Sequence, residues 1–285
     1  MKISIVITAY NVERFLQKAV ESCINQDYED LEIIIVEDCS TDNTLSLCKE
    51  LKEKDSRIRL LKNIKNVGAG ESRYIGSINA TGEYIQFLDG DDWFIGNSIS
   101  LLANKAKETN ADIVGGGVSI FKENGLQEIT VYPNITLEGN DKILKYWGKY
   151  TFWMNSKIVR RTLFDKVPYC KRRYIEDTPT IIPQTHFANK VVYIEDIVYG
   201  YRMHDKSLTH TADIFKNALY TALTGFEIIE FFKIHNPKIL EDNGILNSLL
   251  LEIKKIQQVN LTKEMVEQYK DDYIDFTIKL LKFQK

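Results

Sequence analysis

The strongest constraint on the fold is a repeated alternation, in the amino-terminal third of the chain, between short apolar runs and longer amphipathic segments. The apolar runs are rich in β-branched residues, which is typical of buried parallel strands. They occupy Lys2–Thr8, Leu31–Val36, Ile58–Lys62 and Glu83–Leu88. The segments between them place their apolar residues on one helical face. This alternation predicts a doubly wound α/β fold whose ligand site lies at the carboxyl ends of the strands.

The rest of the chain is predicted in less detail. We expect a helix at Ser98–Lys107 and strands at Asp112–Ser119 and Leu126–Tyr132. Residues 140–210 are interpreted as short helices and loops, and the chain is expected to be helical from Ile214 onward. The predicted fold class is therefore a Rossmann-like, mostly parallel sheet flanked by helices, with a helical extension at the carboxyl terminus.

Amino-acid composition and net charge limit the classes of protein to which the chain can belong. The chain has 285 residues, 44% hydrophobic and 27% charged, as in an ordinary soluble globular protein. A net charge of −3 argues against nucleic acid as a partner, because nucleic-acid binding usually needs a basic face. Four cysteines without CxxC spacing favour a reducing compartment, and the first apolar run is too short for a signal peptide. We therefore expect a soluble, cytoplasmic protein.

Polar residues gather where three of the predicted strands end. They are found at Thr8–Asn11, Glu37–Asp38 and Asp89–Asp92, and the carboxyl ends of parallel strands line one crevice. Three clustered carboxylates repel one another unless a positive charge neutralises them. Oxygen ligands of this kind select Mg²⁺ or Mn²⁺, and a metal held by so few carboxylates keeps sites free for the oxygens of a diphosphate.

The order of these motifs carries a resemblance to a known family. Ile5–Asn11, Val36–Asp42, Asn66–Gly68 with Arg73, and Asp89–Asp92 resemble the successive motifs of family 2 glycosyltransferases. These are inverting enzymes of the GT-A fold that use nucleotide-diphosphate sugars. The resemblance is strong over roughly the first 120 residues and continues more weakly to about residue 210. It implies the GT-A fold for this chain.

The resemblance implies a nucleotide site. Thr8 and Tyr10 would hold the base, with the ring of Tyr10 stacked on it. Asp38 would accept a hydrogen bond from the imide N–H of uracil or thymine, and Asn66 would lie at the nucleotide. Arg73 would reach the base or the diphosphate with its guanidinium fork. Plainer structural roles stay open: a sheet-edge tyrosine, a helix-capping aspartate and a surface arginine.

The resemblance also implies a different role for each carboxylate of the acid cluster. Asp91 matches the metal-ligating acid of the family's DxD motif, and Asp89 would serve the ribose and the surroundings of the metal. Asp92 is left for a supporting role or for contact with the acceptor. His204, in a loop that resembles one closing over the diphosphate, would be a further metal ligand. The alternative for His204 is an ordinary surface histidine.

Sugar transfer with inversion needs a base opposite the leaving diphosphate. Glu176 and Asp177 resemble the family's ED motif, which makes Asp177 the expected base and Glu176 its support. An exposed pair of helix-capping carboxylates is the alternative. Trp153 precedes this motif and is expected to line the acceptor pocket, because sugars stack on aromatic faces, although core packing is equally compatible with its position.

Taken as a member of this family, the chain is expected to form a GT-A domain over residues 1–212 and a helical region over residues 213–285. Residues 1–96 would be the nucleotide-binding half of the domain, and residues 97–212 the acceptor-binding half. In the helical region an apolar stripe is expected to pack on the sheet or on a second copy of the chain. Its lysines raise the alternatives of peripheral membrane contact or a solvated face. The stripe consists of Leu219, Leu223, Phe226, Ile229 and Phe232.

The sequence therefore predicts a metal-dependent inverting glycosyltransferase that takes a sugar, with a UDP-sugar most compatible, to a glycan or lipid-linked glycan of a bacterial cell surface. Two alternatives stay open. A nucleotidyltransferase would usually carry a glycine-rich, basic loop after its first strand, where this chain has Thr8–Asn11. A catalytically inactive sugar-nucleotide-binding protein is opposed by the intact Asp89, Asp91 and Asp177.

Overall fold

The computed structural model describes residues 1–122, 125–139, 142–143, 153–204 and 213–283. The chain divides into two compact units, Met1–Asp205 and Lys206–Lys285. The domain boundary expected at residue 212 lies outside the described residues, so that division stays a prediction. The halves expected at residues 1–96 and 97–212 share one sheet.

That sheet contains ten strands in the described part of the first unit. The strands are β1 (Ile3–Ala9), β2 (Leu31–Glu37), β3 (Ile58–Lys62), β4 (Tyr84–Asp89), β5 (Trp93–Phe94), β6 (Ile113–Lys122), β7 (Gly125–Thr130), β8 (Ile135–Glu138), β9 (Lys157–Arg160) and β10 (Lys190–Arg202). Their order in the sheet is β3-β2-β1-β4-β9-β6-β10-β5, with β7 paired to β6 and β8 paired to β10.

The first four strands form the parallel part of the sheet. β1 lies between β2 and β4, so that Ile5 is opposite both Ile33 and Gln86. Each predicted strand in this region ends within one residue of the observed one. The near-continuous apolar sequence of these strands is explained by helices on both faces of the sheet.

Ten α-helices are described. In the first unit they are α1 (Leu16–Ile24), α2 (Thr44–Lys54), α3 (Ala69–Asn79), α4 (Ser98–Thr109), α5 (Thr162–Lys166) and α6 (Asp177–Phe187). Helices α1, α2 and α4 pack with Ile5 and its neighbours into the main core. Helix α3 covers the other face, where a Cβ on Gly76 would lie 2.2 Å from Val6. Glycine at position 76 therefore lets α3 lie directly on β1.

The interpretation of residues 140–210 as short helices and loops was wrong for two segments. Strand β9 lies antiparallel between β4 and β6, and β10 is a long strand parallel to β6. The register of β10 shifts between Tyr193 and Ile197, where Glu195 and Asp196 interrupt its apolar pattern. Such an interruption makes one strand look like two short runs.

The second unit is helical, as expected. Its helices are α7 (Ile214–His235), α8 (Asn243–Lys254), α9 (Lys263–Gln268) and α10 (Lys270–Phe283), with 3₁₀ turns at Pro237–Glu241 and Lys255–Gln258. The Asp213 carboxylate caps α7 by accepting from the Lys216 N–H at 2.8 Å. The five apolar residues predicted to form a stripe are all buried. Among the described helices, none has the length and apolar character required to cross a membrane.

Candidate active site

Arg73 lies at the centre of a buried charge network at the carboxyl edge of the sheet. Its Nη2 atom donates to Asp89 Oδ1 at 2.6 Å, while Nη1 donates to Glu176 Oε1 and lies 3.9 Å from Asp177 Oδ1. Burial disfavours the charge, but these three carboxylates hold the pKa of Arg73 well above its usual value. Both terminal nitrogens of its guanidinium thus face protein carboxylates, and the contact of Arg73 with the nucleotide stays a prediction.

Close backbone packing brings Arg73 to the Glu176 segment. A Cβ on Gly70, in the first turn of α3, would lie 2.1 Å from the Arg172 carbonyl oxygen and 2.5 Å from that of Cys170. Only glycine permits this approach. The segment preceding Glu176 therefore rests directly on α3.

Asp89 accepts hydrogen bonds from protein donors on both of its carboxylate oxygens. Besides Arg73, Oδ1 accepts from the Thr8 hydroxyl at 3.1 Å, and Oδ2 accepts from Asn155 Nδ2 at 2.8 Å. The same Asn155 nitrogen donates to the Tyr199 hydroxyl at 3.1 Å. The Thr8 hydroxyl thus points at Asp89, whereas the sequence interpretation placed it at the base.

Asp92 is a buried supporting group. Its carboxylate accepts from the Tyr199 hydroxyl at 2.6 Å and from the Arg202 backbone N–H at 2.7 Å. Burial, followed by the charges of Asp91 and Asp89, raises the pKa of Asp92 well above its usual value. Asp92 is 1% exposed and supports the loop through these hydrogen bonds, and its contact with an acceptor stays a prediction.

Asp91 and His204 form a separate pair. His204 Nε2 lies 2.9 Å from Asp91 Oδ2, and the imidazole packs 4.8 Å from the Phe15 ring. Arg202 Nε donates to the Asp91 carbonyl at 2.8 Å, which fixes the loop. No cluster of three or more His, Cys, Asp or Glu side chains suited to a metal occurs in the part of the chain that the structure describes. One carboxylate oxygen and one imidazole nitrogen fit a Mg²⁺ or Mn²⁺ ion that takes its other ligands from a diphosphate and water.

Asp38 organises the loop after β3. Its two carboxylate oxygens accept hydrogen bonds at 2.8–2.9 Å from the side chains of Asn63 and Asn66 and from the backbone N–H groups of Val67 and Gly68. A carboxylate offers about four acceptor positions, so all of them are used. In this conformation Asn66 faces Asp38, and the roles of Asp38 and Asn66 at the nucleotide stay predictions.

Tyr10 stands apart from these networks, with 45% of its surface exposed. The next residue, Asn11, has φ +53°, a left-handed conformation that asparagine tolerates. Its side-chain oxygen accepts from the Thr41 N–H at 2.8 Å, and its own N–H donates to Ser40 Oγ at 3.1 Å. The turn that presents the Tyr10 ring is thus tied to the loop after β2.

Asp177 and Glu176 begin α6. The Tyr169 hydroxyl donates to Asp177 Oδ1, and the Met154 N–H donates to Oδ2 at 3.3 Å. Burial, opposed by Arg73 and reinforced by Asp177, raises the pKa of Glu176 to about 7. The preceding Ile175 has φ +52°, a strained conformation for a β-branched residue, which sets the direction in which the two acids leave the chain.

Trp153 lies at the edge of the same region, 38% exposed and 5.7 Å from the Tyr201 ring. Its carbonyl accepts a hydrogen bond from Lys157 Nζ. Burial, partly opposed by the charge of Asp177, lowers the pKa of Lys157 to about 7. A buried lysine therefore anchors the backbone of the exposed tryptophan.

Sequence reasoning missed four residues of this region: Asn155, Lys157, Tyr169 and Tyr199. Asn155 lies just before β9 and Lys157 is its first residue, and polar residues entering a buried strand are a signal that could have been used. Tyr169 and Tyr199 carry no such signal, since buried tyrosines are common in cores.

The amino-acid sequence was compared with known proteins. A family model described as glycosyl transferase family 2 matches residues 4–168, more than half of the chain. The glycosyltransferase GlyG of Streptococcus pneumoniae is 28% identical over 98% of this chain and 95% of its own length. The GalNAc(5)-diNAcBac-PP-undecaprenol beta-1,3-glucosyltransferase of Campylobacter jejuni is 37% identical over 45% of this chain and 41% of its own length.

Solved structures agree in fold. S. aureus TarS 1-349 in complex with UDP-GlcNAc matches with a TM-score of 0.72 at 20% identity, covering 98% of this chain and 81% of that one. The mannosyltransferase PcManGT from Pyrobaculum calidifontis, in complex with GDP-Man and Mn²⁺, matches with a TM-score of 0.60 at 14% identity, covering 98% and 84%. These likenesses confirm the predicted GT-A fold. The chain belongs to glycosyl transferase family 2 and is a glycosyltransferase.

Proposed function

We propose that this glycosyltransferase is metal-dependent and inverting, and that it transfers a sugar from a UDP-sugar to a hydroxyl group of a bacterial cell-surface glycan, free or lipid-linked. The observation that carries the proposal is the arrangement of two acidic groups on either side of buried Arg73. Asp89, two residues before Asp91, contacts one arm of its guanidinium, and Glu176, next to Asp177, contacts the other.

The donor side of the site rests on Asp91 and His204, which would hold Mg²⁺ or Mn²⁺. When bound, the metal neutralises charge on the diphosphate and so makes it a better leaving group. Arg202 fixes the carbonyl of Asp91, and buried Asp92 fixes the backbone at Arg202. The backbone at Asp91 and at Arg202, two residues before His204, is thus held in place.

The acceptor side rests on Asp177. Its carboxylate takes the proton of the acceptor hydroxyl as the hydroxyl oxygen attacks the anomeric carbon. The bond from that carbon to the diphosphate oxygen breaks, and its electron pair leaves with the diphosphate. Attack from the face opposite the leaving group inverts the configuration. The buried guanidinium of Arg73 lies 3.9 Å from Asp177 Oδ1.

The choice of UDP is supported by two features. TarS, which shares the fold, binds UDP-GlcNAc in a solved complex. In this chain the exposed ring of Tyr10 offers a stacking face for a base. Asp38 contributes indirectly, because it holds the loop from Asn63 to Gly68 in place.

The acceptor assignment is supported by Trp153 and by the relatives. The exposed Trp153 ring, packed beside Tyr201, offers an apolar face to a sugar. The Campylobacter jejuni relative is named for transfer to a glycan on PP-undecaprenol. We propose a cytoplasmic enzyme that works at the inner face of the plasma membrane, where such an acceptor is exposed, with peripheral membrane contact and pairing of two copies through the C-terminal helices as further expectations.

The test is nucleotide-diphosphate release from a panel of UDP-, GDP- and dTDP-sugars, with Mn²⁺ and with a chelator. We expect release from one UDP-sugar that stops when the metal is removed. Asp177→Asn should abolish turnover while UDP binding is kept, and Asp165→Asn, an exposed aspartate on α5, should change neither. Turnover that survives in the chelator, or in Asp177→Asn, would contradict the proposal.

A further inference from the structure

The carboxylate of Asp177 is held on both of its oxygens. Tyr169 donates its hydroxyl to Oδ1, and the Met154 N–H reaches Oδ2 at a longer 3.3 Å. Two donors on different oxygens fix the rotation of a carboxyl group, which one donor alone does not. The oxygen with the weaker donor, Oδ2, is the one left to take a proton.

Tyr169 is itself rigidly placed. It is 1% exposed, and its ring packs edge-on against Phe87 of β4 at 4.9 Å. The Arg73 guanidinium lies 5.8 Å from the ring centroid. A buried side chain in a fixed rotamer loses little entropy when it makes a hydrogen bond, so this hydroxyl is a preorganised donor.

We propose that Tyr169 is a positioning residue for the base: its hydroxyl holds the Asp177 carboxylate in one orientation. This inference rests on the proposed function, in which Asp177 accepts the proton of the acceptor hydroxyl. That proton goes to Oδ2 while Tyr169 keeps its own. Burial, with the charges of Asp177 and Glu176, raises the pKa of Tyr169 well above its usual value, although Arg73 opposes this, so the phenol stays protonated.

The charged groups around Asp177 include both signs. Arg73 on α3 lies 3.9 Å from Asp177 Oδ1, Lys157 on β9 interacts electrostatically with Asp177, and Glu176 is the neighbouring acid. Tyr169 supplies a neutral hydrogen bond among these charges. Removing its hydroxyl therefore leaves the surrounding charges in place, so a change in pH dependence can be assigned to the hydrogen bond.

The test is Tyr169→Phe in the full chain, measured by turnover of the active UDP-sugar as a function of pH. We expect kcat to fall about tenfold to a hundredfold with the donor KM unchanged. The acid limb of the kcat profile should move to higher pH, because a carboxylate that loses a donor becomes more basic.

The matched control is Tyr84→Phe. Tyr84 is equally buried and donates its hydroxyl to the Ala111 carbonyl at 2.5 Å, away from Asp177. It should cost comparable stability and leave kcat and its pH profile as in the wild type. If Tyr169→Phe behaves like Tyr84→Phe, the inference is overturned.

A second replacement covers the case in which Tyr169→Phe does not fold. Introducing p-fluorophenylalanine at position 169 keeps the ring and fills the para position without a hydrogen-bond donor. We expect a folded protein and an acid limb displaced upward; an acid limb identical to that of the wild type would overturn the inference. Asp177→Asn separates the two claims. If it is inactive while the position 169 variants keep wild-type profiles, only the positioning role fails, whereas an active Asp177→Asn removes the base and this inference together.

Discussion

The two edges of one sheet use buried carboxylates in opposite ways. At the amino edge, Glu32 of β2 accepts hydrogen bonds from Ser4 at 2.5 Å and from the backbone and side chain of Thr81 at 2.5 and 2.9 Å. Lys2 and Arg59 complete its surroundings at 3.5 and 3.2 Å. Burial acts against the charge, but the hydrogen bonds from Ser4 and Thr81 prevail and lower the pKa of Glu32 to about 2.

At the carboxyl edge, acids are packed beside acids. Asp92 has a pKa well above its usual value, and that of Glu176 is raised to about 7, in both cases by burial first and by neighbouring acids after it. At the amino edge a single buried carboxylate thus has hydrogen-bond donors and cations around it, whereas at the carboxyl edge several acids lie close together. We propose that charge at the amino edge serves stability, and that charge at the carboxyl edge is kept for a ligand, at a cost in stability.

The replacement Asp91→Asn is expected to have the largest effect and tests whether the two edges differ in role. Loss of the charged ligand should reduce metal-dependent turnover about 10³-fold, since metal stabilisation of a leaving group contributes several kcal/mol. The free energy of unfolding should stay unchanged or rise, because one charge leaves a repulsive cluster. Steady-state kinetics and chemical denaturation measure both. A destabilised, fully active variant would show that Asp91 is structural.

Arg73→Met should damage both properties. It leaves the buried acids Asp89 and Glu176 without their cation, which costs about 3–5 kcal/mol for a buried pair, and it should lower turnover about a hundredfold through misplacement of the base. Arg59→Met is the control at the amino edge. Because Arg59 is 43% exposed, its loss should cost less than about 1 kcal/mol. Equal losses of unfolding free energy in the two variants would contradict the proposed difference between the two edges.

Glu32→Gln should act on stability alone. The amide cannot accept all the hydrogen bonds from Ser4 and Thr81 as an ion does, so we expect a loss of about 2–3 kcal/mol in unfolding free energy. Turnover at a temperature where the variant is folded should equal that of the wild type. A specific fall in kcat would place Glu32 in the chemistry and contradict the account.

Some parts of the fold could be predicted from the sequence and others could not. Strands β1 to β4 were predicted because their continuous apolar runs have one physical explanation, burial on both faces. The acids that follow Leu88 were placed correctly because the ends of parallel strands meet. Strands β9 and β10 were missed, since one begins at a buried lysine and the other contains a register shift.

The partners of the site residues could not be predicted in the same way. Asp38 was assigned to the base, yet its hydrogen-bond capacity is used by a loop about 28 residues further along the chain. Arg73 was assigned to the nucleotide, yet it pairs with Glu176, 103 residues away. Residue types and spacing locate a site, but the packing of distant loops decides which groups in it are already paired.

The pH dependence of stability should have opposite signs at the two edges. Glu32 has a folded pKa below its ordinary 4.5, so its contribution is present above pH 4.5 and is lost as pH falls toward 2. Glu176 has a folded pKa above 4.5, so its contribution is present below pH 4.5 and is lost as pH rises toward 7. In Glu32→Gln the unfolding free energy should no longer fall as pH is lowered from 4.5 toward 2. In Glu176→Gln it should no longer fall as pH is raised from 4.5 toward 7. Unchanged slopes would show that other groups control stability.

The smallest expected effect is that of Tyr10→Ala. Loss of a stacking face should raise the donor KM about tenfold, as stacking on an aromatic ring is worth about 1–3 kcal/mol. Neither kcat nor stability should change much, because the side chain is largely exposed. Tyr74→Ala, on the partly exposed surface of α3, is the control. A donor KM identical to that of the wild type would remove Tyr10 from the nucleotide site.

The most direct test of the central claim, that the carboxyl edge is kept for a metal and a nucleotide, is calorimetric titration of UDP with and without Mn²⁺. Wild-type protein and Glu32→Gln should bind UDP only when Mn²⁺ is present, and Asp91→Asn should lose this metal-dependent binding while it remains folded. UDP binding of equal affinity in the chelator, or in Asp91→Asn, would contradict the account.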